Sequence, residues 1–183
     1  MTLTLVAPNE KYRETVLRGL RELRAEGLPW HVAVDLNAIE RDFAAFVASK
    51  LADVRRSDIP ATHLWAIADE HFVGRLSIRH ALNDALRIEG GHIGYDTVPT
   101  FRGRGVATEM LRQALPIARA LGLTSVLLTC DDTNARSIGV IERNGGALIG
   151  TRVLAPNRPP KRYYLIELTR LEPRSSSEPT TRP

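Results

Sequence analysis

The segment Arg102-Gly-Arg-Gly-Val-Ala-Thr108 sets two glycines and two arginines where an apolar run ending at Val98-Pro99 meets a helical pattern starting at Val106. The first turn of a helix leaves backbone N–H groups without partners, with the positive end of the helix dipole behind them. Missing side chains at Gly103 and Gly105 let a pyrophosphate approach those donors, and Arg102 and Arg104 can add charge-assisted contacts. The chemistry implied is the grip of a phosphorylated ligand by Arg102, Gly103, Arg104, Gly105, Val106, Ala107 and Thr108. No Gly-Lys-Ser/Thr follows, so this is not a P-loop. Nor does the segment open the first βαβ unit of the chain with an acidic residue about twenty positions on, as a dinucleotide fold requires.

The elements around this segment follow from period and punctuation. Thr2–Val6 alternates as a short strand. Tyr12, Val16, Leu17, Leu20 and Leu23 recur at helical spacing until Gly27 and Pro29. A second helix is predicted over Leu36, Ile39, Phe43, Phe46, Val47 and Leu51, with Asp35 as N-cap. Thr62–Ala68 and Phe72–His80 predict a hairpin, and a loop at Asn83–Ala85 leads to a strand over Ile88–Val98. Val106–Leu121 predicts an amphipathic helix kinked at Pro116 and stopped by Gly122. Thr124–Cys130 reads as a buried strand, followed by a helix over Ala135–Arg143 and strands over Ala147–Leu154 and Arg162–Leu168. The order β-α-α-β-β-β-α-β-α-β-β predicts an α/β fold on a mixed, mostly antiparallel sheet, with residues 1–170 as a single domain and 171–183 as a disordered tail.

Composition narrows the classes. A chain of 183 residues with 43% hydrophobic and 25% charged residues is ordinary globular stock. The net charge of +4 owes part to Arg170, Arg174 and Arg182 near the end, and the remaining basic residues are interleaved with acidic ones, so no nucleic-acid partner is expected. No apolar run approaches a membrane span, and no signal-peptide pattern opens the chain. The single cysteine, Cys130, with no metal-ligand spacing around it, predicts a cytoplasmic protein without a metal site.

Val98-Pro-x-x-Arg102-Gly-x-Gly-x-Ala107 resembles the acetyl-CoA signature of the GNAT N-acetyltransferases, and the element order matches that family to about Leu168. Asn134-x-x-Ser137 through Glu142-Arg-Asn-Gly145 resembles the second cofactor motif of the family. Arg79-His-Ala-Leu-Asn83 with Gly90-Gly-His-Ile-Gly-Tyr95 is similar to a subgroup of bacterial predicted acetyltransferases. The resemblance implies a sheet splayed between its fourth and fifth strands, with the pantetheine arm of acetyl-CoA lying between them. Backbone groups of Asp96, Thr97 and Val98 would pair with its amides, in the manner of an added strand. Asn134 and Ser137 would meet the pantetheine or adenosine side, and Asn134 would serve equally as a helix N-cap.

The activity implied is transfer of an acetyl group to a primary amine by direct attack in a ternary complex. The tyrosine that many members carry seven residues after the motif asparagine, as general acid, is replaced by Ile141. Tyr95, Tyr163, Tyr164 or water would have to serve. The usual strand-four glutamate falls at Gly91, which leaves His92 and Glu89 as candidate bases, the first through a bulge and the second from the same strand face. His80 and Asp96 are secondary candidates for the base, Arg79-His80 could instead bind an acidic group of the substrate, and Cys130 is expected to be a buried structural thiol. Trp30, His31 and Trp65 are candidate cleft residues. The acceptor is left as a small-molecule or peptide amine, with a possible homodimer. A second reading is an acyl-CoA-binding regulatory protein that keeps the fold without turnover.

Overall fold

Val16, Leu17, Leu20 and Leu23 share one face of a helix over Arg13–Ala25 (α1), and all four are buried. The computed structural model describes residues 2–28, 31, 35–56 and 59–168, without side chains for 54–56. Trp30 and the predicted tail over 171–183 lie outside the described residues. Strands β1 (Leu3–Val6), β2 (Ala61–Ala68), β3 (His71–Arg79) and β4 (Ile93–Thr97) form a sheet in that order. Strands β5 (Ser125–Asp131), β6 (Ala147–Arg152) and β7 (Lys161–Glu167) form a second, in the order β5-β7-β6. Every ladder among these strands is antiparallel. The two sheets meet at an isolated bridge between Gly91 and Leu128.

Burial holds the two sheets as one body. The helix Val106–Ala120 (α5) lays Val106, Met110, Leu111, Ala114 and Ala118 on Val73, Leu76, Ile78 and Ile93 of the first sheet, and the same cluster runs on into Val126, Leu128, Tyr164 and Ile166 of the second. The opposite face of the first sheet carries α1 with α2 (Leu36–Arg41) and α3 (Phe43–Arg56). There Trp65 packs among Phe43, Phe46 and Phe72, so this indole belongs to the core, not to a cleft.

Three local departures from the sequence pattern have plain causes. The predicted second helix breaks at Asp42, which leaves the helical region (φ −138, ψ 77) and caps α3 by accepting the Ala45 N–H at 2.8 Å. Where a loop at Asn83–Ala85 is expected to lead to a strand over Ile88–Val98, a short helix, Asp84–Ile88 (α4), forms and the strand begins only at Ile93, because the Asn83 carboxamide caps the helix by accepting the Leu86 N–H at 2.9 Å. Pro116 leaves α5 unbroken, and it sits on the exposed face, where water can serve the carbonyl that lost its donor.

Gly91 adopts φ +65, and a Cβ there would run into the Leu127 carbonyl. Gly91→Ala is therefore expected to cost about 2 kcal/mol or more, lowering Tm by roughly 4–8 °C. Gly103→Ala has the same left-handed strain but open space around the new methyl, so about 1 kcal/mol is expected. Equal melting temperatures for the two variants would show that the bridge does not hold the sheets.

Candidate active site

A cavity of about 790 Å³ opens between β4, the N-terminus of α5 and the helix Ala135–Arg143 (α6). At its floor Gly103 and Gly105 take φ +74 and +78, and a Cβ on either would meet nothing within 4 Å. The Gly105 carbonyl accepts the Glu109 N–H at 3.0 Å and so starts the helix. The N–H groups of Val106, Ala107 and Thr108 precede the first carbonyl four residues back and point outward. Arg136 and Arg143, seven residues apart on one face of α6, line the opposite wall. Open glycine backbone, helix-terminal donors and cations on the facing wall fit a diphosphate.

Arg102 takes a different part from the one its charge suggests. Its Nε donates to the Thr97 carbonyl at 3.1 Å, and its other nitrogens grip both carboxylate oxygens of Glu26, one of them at 2.7 Å. This guanidinium holds the Glu26 carboxyl below the usual range. It thus ties the glycine turn to β4 and to the end of α1, leaving the anion to the backbone. Arg104 is exposed and stacks over the Phe101 ring at 5.7 Å.

The Asn134 side chain accepts the Ser137 N–H at 3.0 Å as the cap of α6, and both residues also line the cavity. Ser137 Oγ meets the Tyr95 hydroxyl at 2.8 Å. Burial is the main cause that pushes Tyr95 up to about 12, so its hydroxyl keeps its proton at neutral pH. On the next residue, Asp96 accepts from Arg75 Nε at 2.8 Å and lies 3.1 Å from Nε2 of the buried His31. Asp96, Thr97 and His31 line the cavity. Val98 does not: it is fully buried, and its N–H donates to the Val73 carbonyl at 3.0 Å.

The two bases expected from the sequence lie outside this cavity. His92 Nδ1 accepts the Leu127 N–H at 2.9 Å, while the His92 N–H donates to the Leu127 carbonyl at 2.7 Å. A neutral ring bonded so carries its proton on Nε2 and has no free lone pair. Burial, then the charges of Arg87 and Arg79, lower its pKa. Glu89 is paired with Arg158 and, at 2.8 Å, with Lys161, and its pKa falls to about 2 chiefly through Arg158. The other tyrosines are engaged elsewhere: the Tyr163 hydroxyl donates to the Ile88 carbonyl at 2.8 Å and that of Tyr164 to Glu142 at 3.1 Å. Ile141 is buried, and burial raises the Cys130 thiol. His80 bonds Thr62 at 2.8 Å.

Glu26, Arg136 and Arg143 were not expected from the sequence. The two arginines could have been found from their spacing on the helix that Asn134 opens, whereas nothing local marks Glu26. Among the described residues no three metal-ligating side chains converge, and no helix is long and apolar enough to cross a membrane.

The model of the acetyltransferase (GNAT) domain matches residues 3–147. No curated protein matches the chain in sequence. Among solved structures, the ribosomal alpha-N-protein acetyltransferase RimL in complex with coenzyme A superposes with a TM-score of 0.69 at 20% identity, over 91% of this chain and 94% of that one. The microcin C7 self-immunity acetyltransferase MccE, in complex with acetyl-CoA and AMP, gives 0.68 at 18%, over 90% and 92%. Aminoglycoside acetyltransferase AAC(6')-Ib in complex with coenzyme A gives 0.63 at 18%, over 91% and 95%. The fold is that of an acyltransferase. The chain belongs to the GNAT acetyltransferase family.

The Glu89 pairs generate a pH prediction. A carboxylate lowered to about 2 stabilises the fold above its ordinary pKa near 4.5, and that contribution fades as pH falls from there toward 2. Because the side chain is partly exposed, the gain at neutral pH should be about 1 kcal/mol or less. Urea melts of Glu89→Gln should show this gap at pH 7 and its narrowing below pH 4.5; a gap that widens on acidification would contradict the assignment.

Proposed function

We propose that this protein transfers the acetyl group of acetyl-CoA to a primary amine by direct attack in a ternary complex, acting in the cytoplasm. The observation that carries this reading is the continuity of one cavity, from the glycine cradle at the start of α5 along Tyr95, Asp96 and Thr97 of β4 to the facing wall of α6. Acetyl-CoA, when bound, supplies the acyl group as a thioester and leaves as a thiol. The backbone of residues 103–108 would hold the diphosphate, helped by Arg104, Arg136 and Arg143. The β4 edge at Asp96 and Thr97 would pair with the pantetheine amides, and Asn134 and Ser137 would line the arm. Exposed Leu148 and Ile149 on edge strand β6 give a homodimer, if formed, its apolar surface.

An amine with a pKa near 10 is only about one part in a thousand neutral at pH 7, so a proton acceptor aids attack. For that role we propose the His31–Asp96 pair instead of His92 and Glu89, whose lone pairs are held by Leu127, Arg158 and Lys161. Tyr95 is the proposed donor to the leaving thiolate, since its protonated hydroxyl faces the cavity beside Ser137. That hydroxyl favours turnover over the alternative of a non-catalytic acyl-CoA-binding protein, which rests on Ile141 standing at the usual tyrosine position.

Acetyl-CoA at a hundred times its Kd should raise Tm by roughly 5–10 °C. Gly105→Trp should melt cooperatively yet show no shift, because its side chain fills the cradle. Silence from the wild type at millimolar acetyl-CoA would end the enzyme reading.

Tyr95→Phe should lower kcat about tenfold or more, and Asp96→Asn about a hundredfold at pH 7. The Asp96 deficit should shrink toward pH 9, as more of the amine becomes neutral without help. Steady-state rates from pH 6.5 to 9 decide this. If His92→Gln or Glu89→Gln abolishes turnover while Asp96→Asn does not, the proposed roles are reversed.

A further inference from the structure

Arg79 on β3 is half-buried, and its recorded partners are two backbone carbonyls, Gly91 at 2.9 Å and Gly90 at 3.5 Å, both taken by Nη1. Among the described residues it has no carboxylate partner. Arg75, four residues earlier on the same face, is neutralised by Asp96. Burial lowers the Arg79 pKa with no acidic neighbour acting against it. A guanidinium withdrawn from water without an opposite charge is costly unless something pairs with it.

The space in front of this guanidinium is defined by a missing side chain. A Cβ on Gly94 would lie 3.7 Å from Ser77 Oγ, 3.8 Å from Arg79 Nη1 and 3.9 Å from Nη2. Ser77 pairs with Gly94 across the β3–β4 ladder, so its hydroxyl and the Arg79 fork flank the bare glycine at contact distance for a small group. Two residues along the same face of β4 stands Asp96 with His31, about 7 Å away by strand rise. A small amino carboxylate covers that span once its hydrogen bonds are counted.

We infer that Arg79 and Ser77 form a carboxylate subsite, and that the acceptor is a small amine bearing a carboxylate, in the size range of an amino acid. This rests on the acetyl-transfer reading above. The carboxylate would lie bidentate on the guanidinium fork, accept the Ser77 hydroxyl proton, and direct the amino group along β4 toward Asp96.

The test uses matched amines that differ in the anion: phenylalanine against phenethylamine, and β-alanine against propylamine, with O-phosphoethanolamine as the phosphate counterpart. Wild type should favour the carboxylated member of a pair by roughly 10–100-fold in kcat/KM. Arg79→Gln should bring that ratio to within about threefold, while keeping the acetyl-CoA thermal shift and its rate with the uncharged amine. Calorimetry without cofactor should show N-acetylphenylalanine binding at least about tenfold more weakly to Arg79→Gln than to wild type. Arg79→Lys keeps a charge and a donor to the Gly91 carbonyl but loses the fork. It should give an intermediate ratio, and it carries the comparison if the glutamine variant does not fold. A wild-type ratio near one, a ratio unchanged in both variants, or preference for O-phosphoethanolamine over β-alanine overturns the inference. If acetyl-CoA binds and uncharged amines are acetylated without such a preference, the carboxylate subsite alone falls. If there is neither a thermal shift nor transfer, the acetyltransferase reading falls, and the calorimetric comparison still decides what Arg79 binds.

Discussion

Where Gly91 faces Leu128, two sheets that share no other strand pairing among the described residues are fastened edge to edge, and His92 doubles the hold by gripping both the N–H and the carbonyl of Leu127. The left-handed backbone at Gly91 makes the approach possible, since any side chain would meet the Leu127 carbonyl. From this point β4 and β5 diverge, each already paired on its other side, to β3 and β7. Their facing edges are therefore left as donors and acceptors for an inserted chain. A gap of this kind persists because closing it would require breaking the ladders behind it.

The helix α5 works against both consequences of that gap. Its apolar face fills the space between the sheets, with Met110, Leu111, Ala114 and Ala118 inaccessible to water, and its N-terminus is left pointing into the cavity. Arg102 contributes by restraint. Held by Glu26 and Thr97, it fixes the glycine turn before any anion arrives, so the N–H donors need no reorganisation. Asn144 adds a tie from α6 to the Thr108 carbonyl at 3.2 Å, keeping the two cavity walls at a set separation.

The parts legible in the sequence are those whose physics is local. Glycines at 103 and 105 before a helical period announce a cradle, and Asn134 three residues before Ser137 announces a cap, because each depends on neighbours within one turn. His92 and Glu89 could not be read in the same way. The partners that consume their lone pairs lie 35 residues away for His92 and 69 for Glu89 at Arg158, and no local pattern reveals them. Trp65 illustrates the same limit: only the packing of α3 over β2 decides whether an indole is core or cleft. The break at Asp42 was hidden because the apolar spacing continues across it, and the capping bond to Ala45 competes with the helix from within one turn.

Adjacent positions on β4 carry the two proton-handling groups of the proposed mechanism, and a strand sends adjacent side chains to opposite faces. Tyr95 packs on the α5 side, against the cluster that holds Met110, and reaches Ser137. Asp96 turns to the α1 side, where Arg75 and His31 hold it. In the proposed mechanism, removal of a proton from an amine and its return to a thiol are thereby assigned to opposite sides of one strand, which keeps the proton acceptor and the proton donor apart. In this arrangement a tyrosine on α6 is dispensable. Ile141 can fill the core because the hydroxyl arrives from β4, and Ser137 of α6 fixes its direction.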